Sequence, residues 1–320
     1  MLNICQVSLA RDIPIILENY HSFKKFYDSI KIFIVCPENE IGEFKKKLKQ
    51  SEFNIINEND LISLTEFKNI YDKLSTSIKY QKLFVNRLNW YYQQVLKISF
   101  VMNFVASNKE DIIIWDADTL ILKKLKFFNN KTSIKYGTLF EFHKPYFKTN
   151  CSIIGLHQKY FISSLVQFIG LSVSECIFFS KKIKNPHHSY NNKKTPFFIS
   201  RIILENIFKS HPSYNGSLFS EYELIGISNL MNENVKQKAI FTLRSDLDGK
   251  LSKTQIFLAK LLNIKHVTYE HSYSSSNSRG MLKRKQKWIS FFKILVKSFV
   301  KFHLRNIKHN FNFYYNLYND

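Results

Sequence analysis

The stretch that most constrains this chain is residues 111–122, Asp-Ile-Ile-Ile-Trp-Asp-Ala-Asp-Thr-Leu-Ile-Leu. Ile112, Ile113, Ile114 and Trp115 form an unbroken apolar run, the signature of a strand buried on both faces of a parallel sheet. The run ends in Asp116-Ala117-Asp118. In an extended chain side chains repeat every second residue, so Asp116 and Asp118 are expected to point to the same side. Two neighbouring carboxylates repel and are costly to desolvate. A divalent cation resolves both problems, and Mg²⁺ or Mn²⁺ prefers carboxylate and phosphate oxygen. Such a pair is expected just beyond the carboxyl end of a strand, where open α/β sheets bind ligands. The plainer alternative is a turn, since Asp is common there.

The rest of the chain alternates in the same way. Leu2–Leu9, Ile30–Val35 and Phe53–Ile56 read as strands. A helix from Pro14 and a charged helix over 43–48 lie between them, which predicts an α/β fold with a mixed, mostly parallel sheet flanked by helices. Gln81–Ser107 reads as a long helix whose core stripe is Tyr91, Val95, Ile98, Met102 and Val105. A second line, Arg87, Trp90, Gln94 and Lys97, is either a solvated face or part of a site. Strands are expected over 132–141 and 151–156, a short helix over 159–170, and a helix over 199–208. Ser220 reads as an N-cap, with Glu223 as its capping-box partner. Residues 266–273 read as a last strand. Arg244-Ser245-Asp246-Leu247-Asp248-Gly249 holds a second Asp-x-Asp, read as a turn. His187-His188 reads as a solvated loop pair.

Net charge is +22, which favours anionic partners. The basic residues peak at the end of the chain. No acidic residue occurs from Ser272 to Asn319, and Lys293, Lys297, Lys301, Arg305 and Lys308 form a stripe opposite Phe291, Leu295, Phe299 and Phe302. A basic amphipathic helix over 281–320 is therefore expected beside a main domain over 1–280. It would either lie on an anionic membrane surface or pack on the domain. The first residues show no signal-peptide pattern, and no stretch is apolar for long enough to span a bilayer. Four scattered cysteines, Cys5, Cys36, Cys151 and Cys176, exclude a zinc ribbon and suit a reducing compartment. A cytoplasmic protein, peripheral on the inner face of the cytoplasmic membrane, is the expectation.

The strand running into Trp115-Asp116-Ala117-Asp118 resembles the DxD element of GT-A-type glycosyltransferases. The blocks Arg87-x-x-Trp90-Tyr91-Tyr92-Gln93-Gln94-x-x-Lys97 and Phe219-Ser220-Glu221-Tyr222-Glu223 resemble those of the bacterial DUF6492 glycosyltransferase-like family, over roughly residues 3–275. The resemblance implies a Rossmann-like GT-A sheet and a Mn²⁺- or Mg²⁺-dependent glycosyltransferase. Such an enzyme moves sugar from a nucleotide sugar to a glycan or glycolipid acceptor, here a capsule or lipooligosaccharide precursor. It implies Asp118 as the direct metal ligand and Asp116 as a ligand to the ribose or to a metal-bound water, with His271 as a late ligand. Arg11, Arg87, Trp90, Gln94 and Lys97 are expected around the nucleotide. A base for the acceptor hydroxyl is needed if the anomeric centre inverts. Glu221 is the candidate and Glu223 its neighbour. The alternatives are a haloacid-dehalogenase-like phosphatase, whose Asp-x-Asp also follows an apolar strand, and a basic nucleic-acid-binding protein. The phosphatase pattern continues with Gly-Thr, and no nucleic-acid motif appears, so no nucleic-acid partner is expected.

Overall fold

Apolar runs separated by helix-length segments pair as parallel strands because the intervening helices return the chain to the same edge of the sheet. In the computed structural model the described residues are 1–74, 87–129, 132–138, 143–155, 163–183, 194–211, 217–230, 236–240, 242–244, 251–269, 291–293, 295–296 and 299–300. The chain runs through Leu2–Val7 (β1), Ile13–Lys24 (α1), Ile30–Cys36 (β2), Ile41–Lys47 (α2), Phe53–Asn57 (β3), Leu64–Leu74 (α3), Leu88–Asn108 (α4) and Ile112–Trp115 (β4). It continues through Thr119–Ile121 (β5), Phe128–Asn129 (β6), Thr132–Gly137 (β7), Lys144–Ile154 (α5), Phe168–Leu171 (β8) and Val173–Lys182 (α6). Lys194–Ser210 (α7), Glu221–Leu230 (α8), Lys236–Ala239 (β9), Leu243–Arg244 (β10), Lys253–Leu261 (α9) and His266–Thr268 (β11) complete it, with further helical residues between 291 and 300.

The main sheet has the order β3-β2-β1-β4-β8. Its first four strands are parallel, and β8 joins β4 antiparallel. β1 buries both faces, as its apolar character requires. Ile4 packs with Ile13 and Ile16 of α1 on one side. Cys5 and Val7 pack with Val95 and Leu96 of α4 on the other. Two smaller sheets, β10-β11-β5 and β6-β7-β9, continue the structure. Gly226 allows α8 to lie against residue 164, since a Cβ there would run into the Ser164 side chain. Among the described residues no helix is long and apolar enough to cross a membrane.

Two expectations fail in the middle of the chain. Residues 151–154, read as part of a strand, finish α5 instead. Pro145 suits that helix's first turn and Gly155, at φ 68°, ends it in the left-handed conformation. The helix expected over 159–170 gives way over 168–170 to β8, whose Phe-Ile-Gly-Leu pairs with Ile112–Trp115. Gly170 is tolerated inside β8 because Phe128 and Ser133 pack directly over it. The second Asp-x-Asp and His187-His188 lie outside the described residues.

Candidate functional site

Strand order places the site. From β1 the sheet grows through β2 to β3 on one side, and the chain then returns to β4 on the other. The connections leaving β1 and β4 therefore diverge at their carboxyl ends, which opens a crevice at this switch point. Residues 8–12 leave β1 at this point and residues 116–118 leave β4, and Asp12 lies close enough for its charge to act on Asp118.

The 116–118 segment is a turn and not the extended chain expected from the alternation. β4 ends at Trp115, and Thr119 N–H donates back to the Asp116 carbonyl at 3.0 Å. The turn is held firmly. Asp116 N–H donates to Gln167 O at 2.9 Å, and Tyr269 N–H donates to Asp118 O at 3.0 Å. Trp115 Nε1 and Asn19 Nδ2 both donate to Thr119 O at 2.6 Å. Gln167 itself sits at φ 61°, a strained conformation for a residue with a side chain.

Helix α4 supplies the charge. Lys97 is 4% exposed, and its ammonium pairs with Asp116 Oδ1 and donates to Glu221 Oε1 at 2.7 Å. Tyr222 Oη donates to the same Asp116 Oδ1 at 2.6 Å. Glu221 reaches Lys97 because the segment before α8 is laid along α4. Leu218 N–H donates to Tyr91 Oη at 3.1 Å, and Glu221 N–H to Gln94 Oε1 at 3.1 Å. Tyr91, Gln94 and Lys97 are one helical turn apart, so each turn of α4 holds the next part of that segment.

The electrostatics are lopsided. Burial would push the Lys97 ammonium down, but Asp116 and Glu221 outweigh it and hold its pKa above the ordinary lysine value. Burial raises the Glu221 carboxyl, against the pull of Lys97 and with the repulsion of Asp116. Asp118 is pushed up to about 7, first by burial and then by the charge of Asp116. Among the described residues its carboxylate accepts from Thr119 Oγ1 at 3.3 Å. Asp116 and Glu221 thus share one ammonium, while Asp118 feels its charge without touching it.

Other expected site residues stand apart. Arg11 is exposed, with Nε 3.9 Å from Asp12 Oδ1. Arg87 lies over the half-buried Trp90 at 5.7 Å, and Trp90 stacks on Tyr146 at 6.3 Å. Trp90 is about two helical turns, ~10 Å, from Lys97 along α4. Glu223 N–H donates to Ser220 Oγ at 3.5 Å, while its carboxylate accepts from Ser163 Oγ, away from Lys97. His271 lies outside the described residues. Sequence reasoning passed over Tyr222, Asn19 and Gln167. Tyr222 adjoins Glu221 at the start of α8, the one available hint; nothing local marks the other two. Among the described residues no group of three or more His, Cys, Asp or Glu side chains is placed to hold one ion.

Among solved structures the chain is similar to the galactosyltransferase LgtC in complex with donor and acceptor sugar analogs. That match has 9% identity, covers 92% of this chain and 95% of that one, and has a TM-score of 0.45. It is also similar to mouse xyloside xylosyltransferase 1 (8%, 85% and 98%, 0.37) and to the glycosyltransferase GlyE of Streptococcus pneumoniae TIGR4 (10%, 94% and 63%, 0.37). Likenesses of this size carry no argument about activity. No curated protein matches the chain. Residues 11–207 match the model of a family of unknown function, DUF6492, and they include all of α4 and the Asp116–Asp118 turn. The chain belongs to the DUF6492 family.

Proposed function

We propose that the chain is a metal-dependent glycosyltransferase that takes sugar from a nucleotide-sugar donor. The observation that carries this reading is the pair Asp116 and Asp118 at the switch-point crevice, where acidic charge exceeds basic charge. The donor set fits Mn²⁺ or Mg²⁺ bound by one or two carboxylates and otherwise by water and phosphate oxygens, as hard cations are held at diphosphates. Asp118 would hold the ion directly, and Asp116 would act through water or the donor ribose. A bound divalent cation supplies Lewis-acid neutralisation of a nucleoside diphosphate leaving group.

The chain's own residues define the remaining roles. Lys97 keeps its proton and serves as a fixed positive charge that orients Asp116. Tyr222 Oη fixes the same carboxylate oxygen. Glu221 is engaged by a buried ammonium, so it acts as the anchor of Lys97 in preference to a base for the acceptor. Transfer with retention of the anomeric centre, which needs no such base, is compatible with that assignment. Gln94 holds the start of α8 in place. Arg11, Arg87 and Trp90, which stand apart from this cluster, are assigned to the outer parts of donor or acceptor. The acceptor is a glycan or glycolipid of a bacterial surface polysaccharide or lipooligosaccharide, met at the inner face of the cytoplasmic membrane. The +22 net charge supports an anionic partner of this kind.

The test is release of nucleoside diphosphate from a panel of nucleotide sugars, with Mn²⁺ and with chelator. Release that needs the metal and is lost in Asp118→Ala is the expected result. Phosphate release from a phosphomonoester, with no nucleoside diphosphate released from any nucleotide sugar, would replace this reading with the phosphatase one.

A further inference from the structure

Three stretches of the chain that contain no acid come together. Residues 119–140, 249–269 and 271–319 hold no Asp or Glu. All three contribute to a single apolar cluster, through Leu120 and Leu122, Ala259 and Val267, and Phe291 and Leu295. Two helical pieces lie over this cluster and turn further apolar side chains outward. On α9, Gln255 and Ala259 are buried, while Phe257 is 59% and Leu261 64% exposed. Among residues 291–300, Phe291 and Leu295 are buried, while Val296 and Val300 are exposed. Exposed apolar residues grouped in this way mark a surface that meets something apolar.

Cations gather at the same place. Lys123 Nζ and Lys265 Nζ both donate to Asn263 Oδ1, each at 3.0 Å. Asn263 directly follows Leu262, itself exposed. Two ammonium groups meet on one neutral oxygen, and neither has a carboxylate partner among the described residues. Their convergence raises the local positive potential, and burial together with Lys123 pushes the Lys265 ammonium below its ordinary value. An anion between them would relieve that repulsion.

We infer that this face docks on an anionic lipid bilayer, with Phe257, Leu261, Leu262, Val296 and Val300 entering the headgroup boundary and Lys123 and Lys265 gripping a lipid phosphate. The combination selects a bilayer over a nucleic acid. Both offer phosphates, and a base could stack on Phe257, but Leu261, Leu262, Val296 and Val300 have no stacking face, while a bilayer has an apolar layer just beneath its phosphates that takes all five. The inference deepens the glycolipid-acceptor reading above, yet the docking needs neither the carboxylate pair nor any metal.

The experiment is vesicle co-sedimentation of the full chain. Vesicles containing a third phosphatidylglycerol should bind about tenfold more protein than pure phosphatidylcholine at low salt. Phe257→Asp with Leu261→Asp, both at exposed positions, should lower that binding about tenfold while the circular dichroism spectrum stays unchanged. Lys123→Gln with Lys265→Gln should remove the preference for anionic vesicles. Asp118→Ala should bind vesicles like the parent, so loss of sugar transfer and loss of docking are read separately. Equal binding to both vesicle types overturns the inference. So does an Asp double variant that binds vesicles unimpaired, or tighter binding of the parent to single-stranded RNA that this variant retains.

Discussion

Among the described residues two lysines, Lys97 and Lys135, are buried almost completely, and they are opposites. Lys97 faces two carboxylates, one of which, Asp116, is partly open to the crevice. Lys135, in β7, faces one carboxylate, Glu175 at 3.5 Å, and donates to Gly170 O at 2.6 Å. The Lys97 ammonium is held above its ordinary value by its two acids, whereas burial pushes that of Lys135 down against the pull of Glu175. Glu175 is also supported without its lysine. It accepts from Ser133 N–H, Ser133 Oγ and Ser172 N–H at 3.2, 2.9 and 2.8 Å. Burial of a lysine therefore does not mark a working site. An excess of acid around it, at an open crevice, does. Lys135 and Glu175 tie β7 and β8 to the start of α6, which is scaffold work.

The largest predicted difference is in stability. Lys97→Met strands Asp116 and Glu221 beside each other, and breaking a buried pair in this way costs about 3–5 kcal/mol. Lys135→Met leaves Glu175 with its three donors, so about 1–2 kcal/mol is expected. Urea denaturation of both variants measures the order. Should Lys135→Met prove the costlier, the contrast between site and scaffold fails. Under the proposed function Lys97→Met also loses nucleoside diphosphate release, while Lys135→Met keeps it wherever it is folded.

The site half of this contrast was more legible in the sequence than the scaffold half. Ile112–Trp115 announces a buried strand, and the next three residues announce their acids. Gln94 and Lys97 fall on one helical line, so their shared face was visible before their partners were. The geometry of the acid pair was not. An alternating strand was expected, but Asp116–Asp118 is a turn, because its hydrogen bonds run to Gln167 and Tyr269, remote in sequence. The Lys135–Glu175 pair left no trace. Its partners are 40 residues apart, and each looks like an ordinary surface charge. β8 was hidden for a related reason. Four residues with a central glycine carry too short a pattern to overrule a helical reading, and only pairing with β4 makes them a strand.

Alkaline titration sharpens the comparison, since the two lysines give slopes of opposite sign. A lysine whose pKa is raised by folding contributes stability that is complete below the ordinary lysine value and is lost as pH rises through the higher folded value. That is Lys97. A lysine whose pKa is lowered by folding penalises the fold while the unfolded chain binds more protons, and the penalty fades as pH rises toward the ordinary value. That is Lys135. Urea midpoints from pH 8 to pH 10.5 should show the parent gaining on Lys135→Met as pH increases. The gap to Lys97→Met should stay flat and narrow only above this range. Each slope is bounded by about 1.4 kcal/mol per pH unit for one proton. A gap to Lys97→Met that already narrows near pH 9 would mean that its acids do not hold its proton.

The smallest effects lie in the hydroxyls that support each acid. Ser133→Ala removes one donor from Glu175, and two backbone donors and Lys135 remain. The expected loss is about 1 kcal/mol of stability. Tyr222→Phe removes the donor that shares Asp116 Oδ1 with Lys97. Its stability cost is of the same order or less, because the ammonium stays in place and the phenyl ring still packs at the start of α8. The two changes separate in function. Glu175 takes no part in the proposed chemistry, so Ser133→Ala should leave the rate of nucleoside diphosphate release unchanged. Asp116 loses one of the two groups that fix its orientation, and a loosely held carboxylate at a reacting centre costs about tenfold or more. Equal activity in the two variants would show that Tyr222, like Ser133, only braces the fold, and that Lys97 alone sets the position of Asp116.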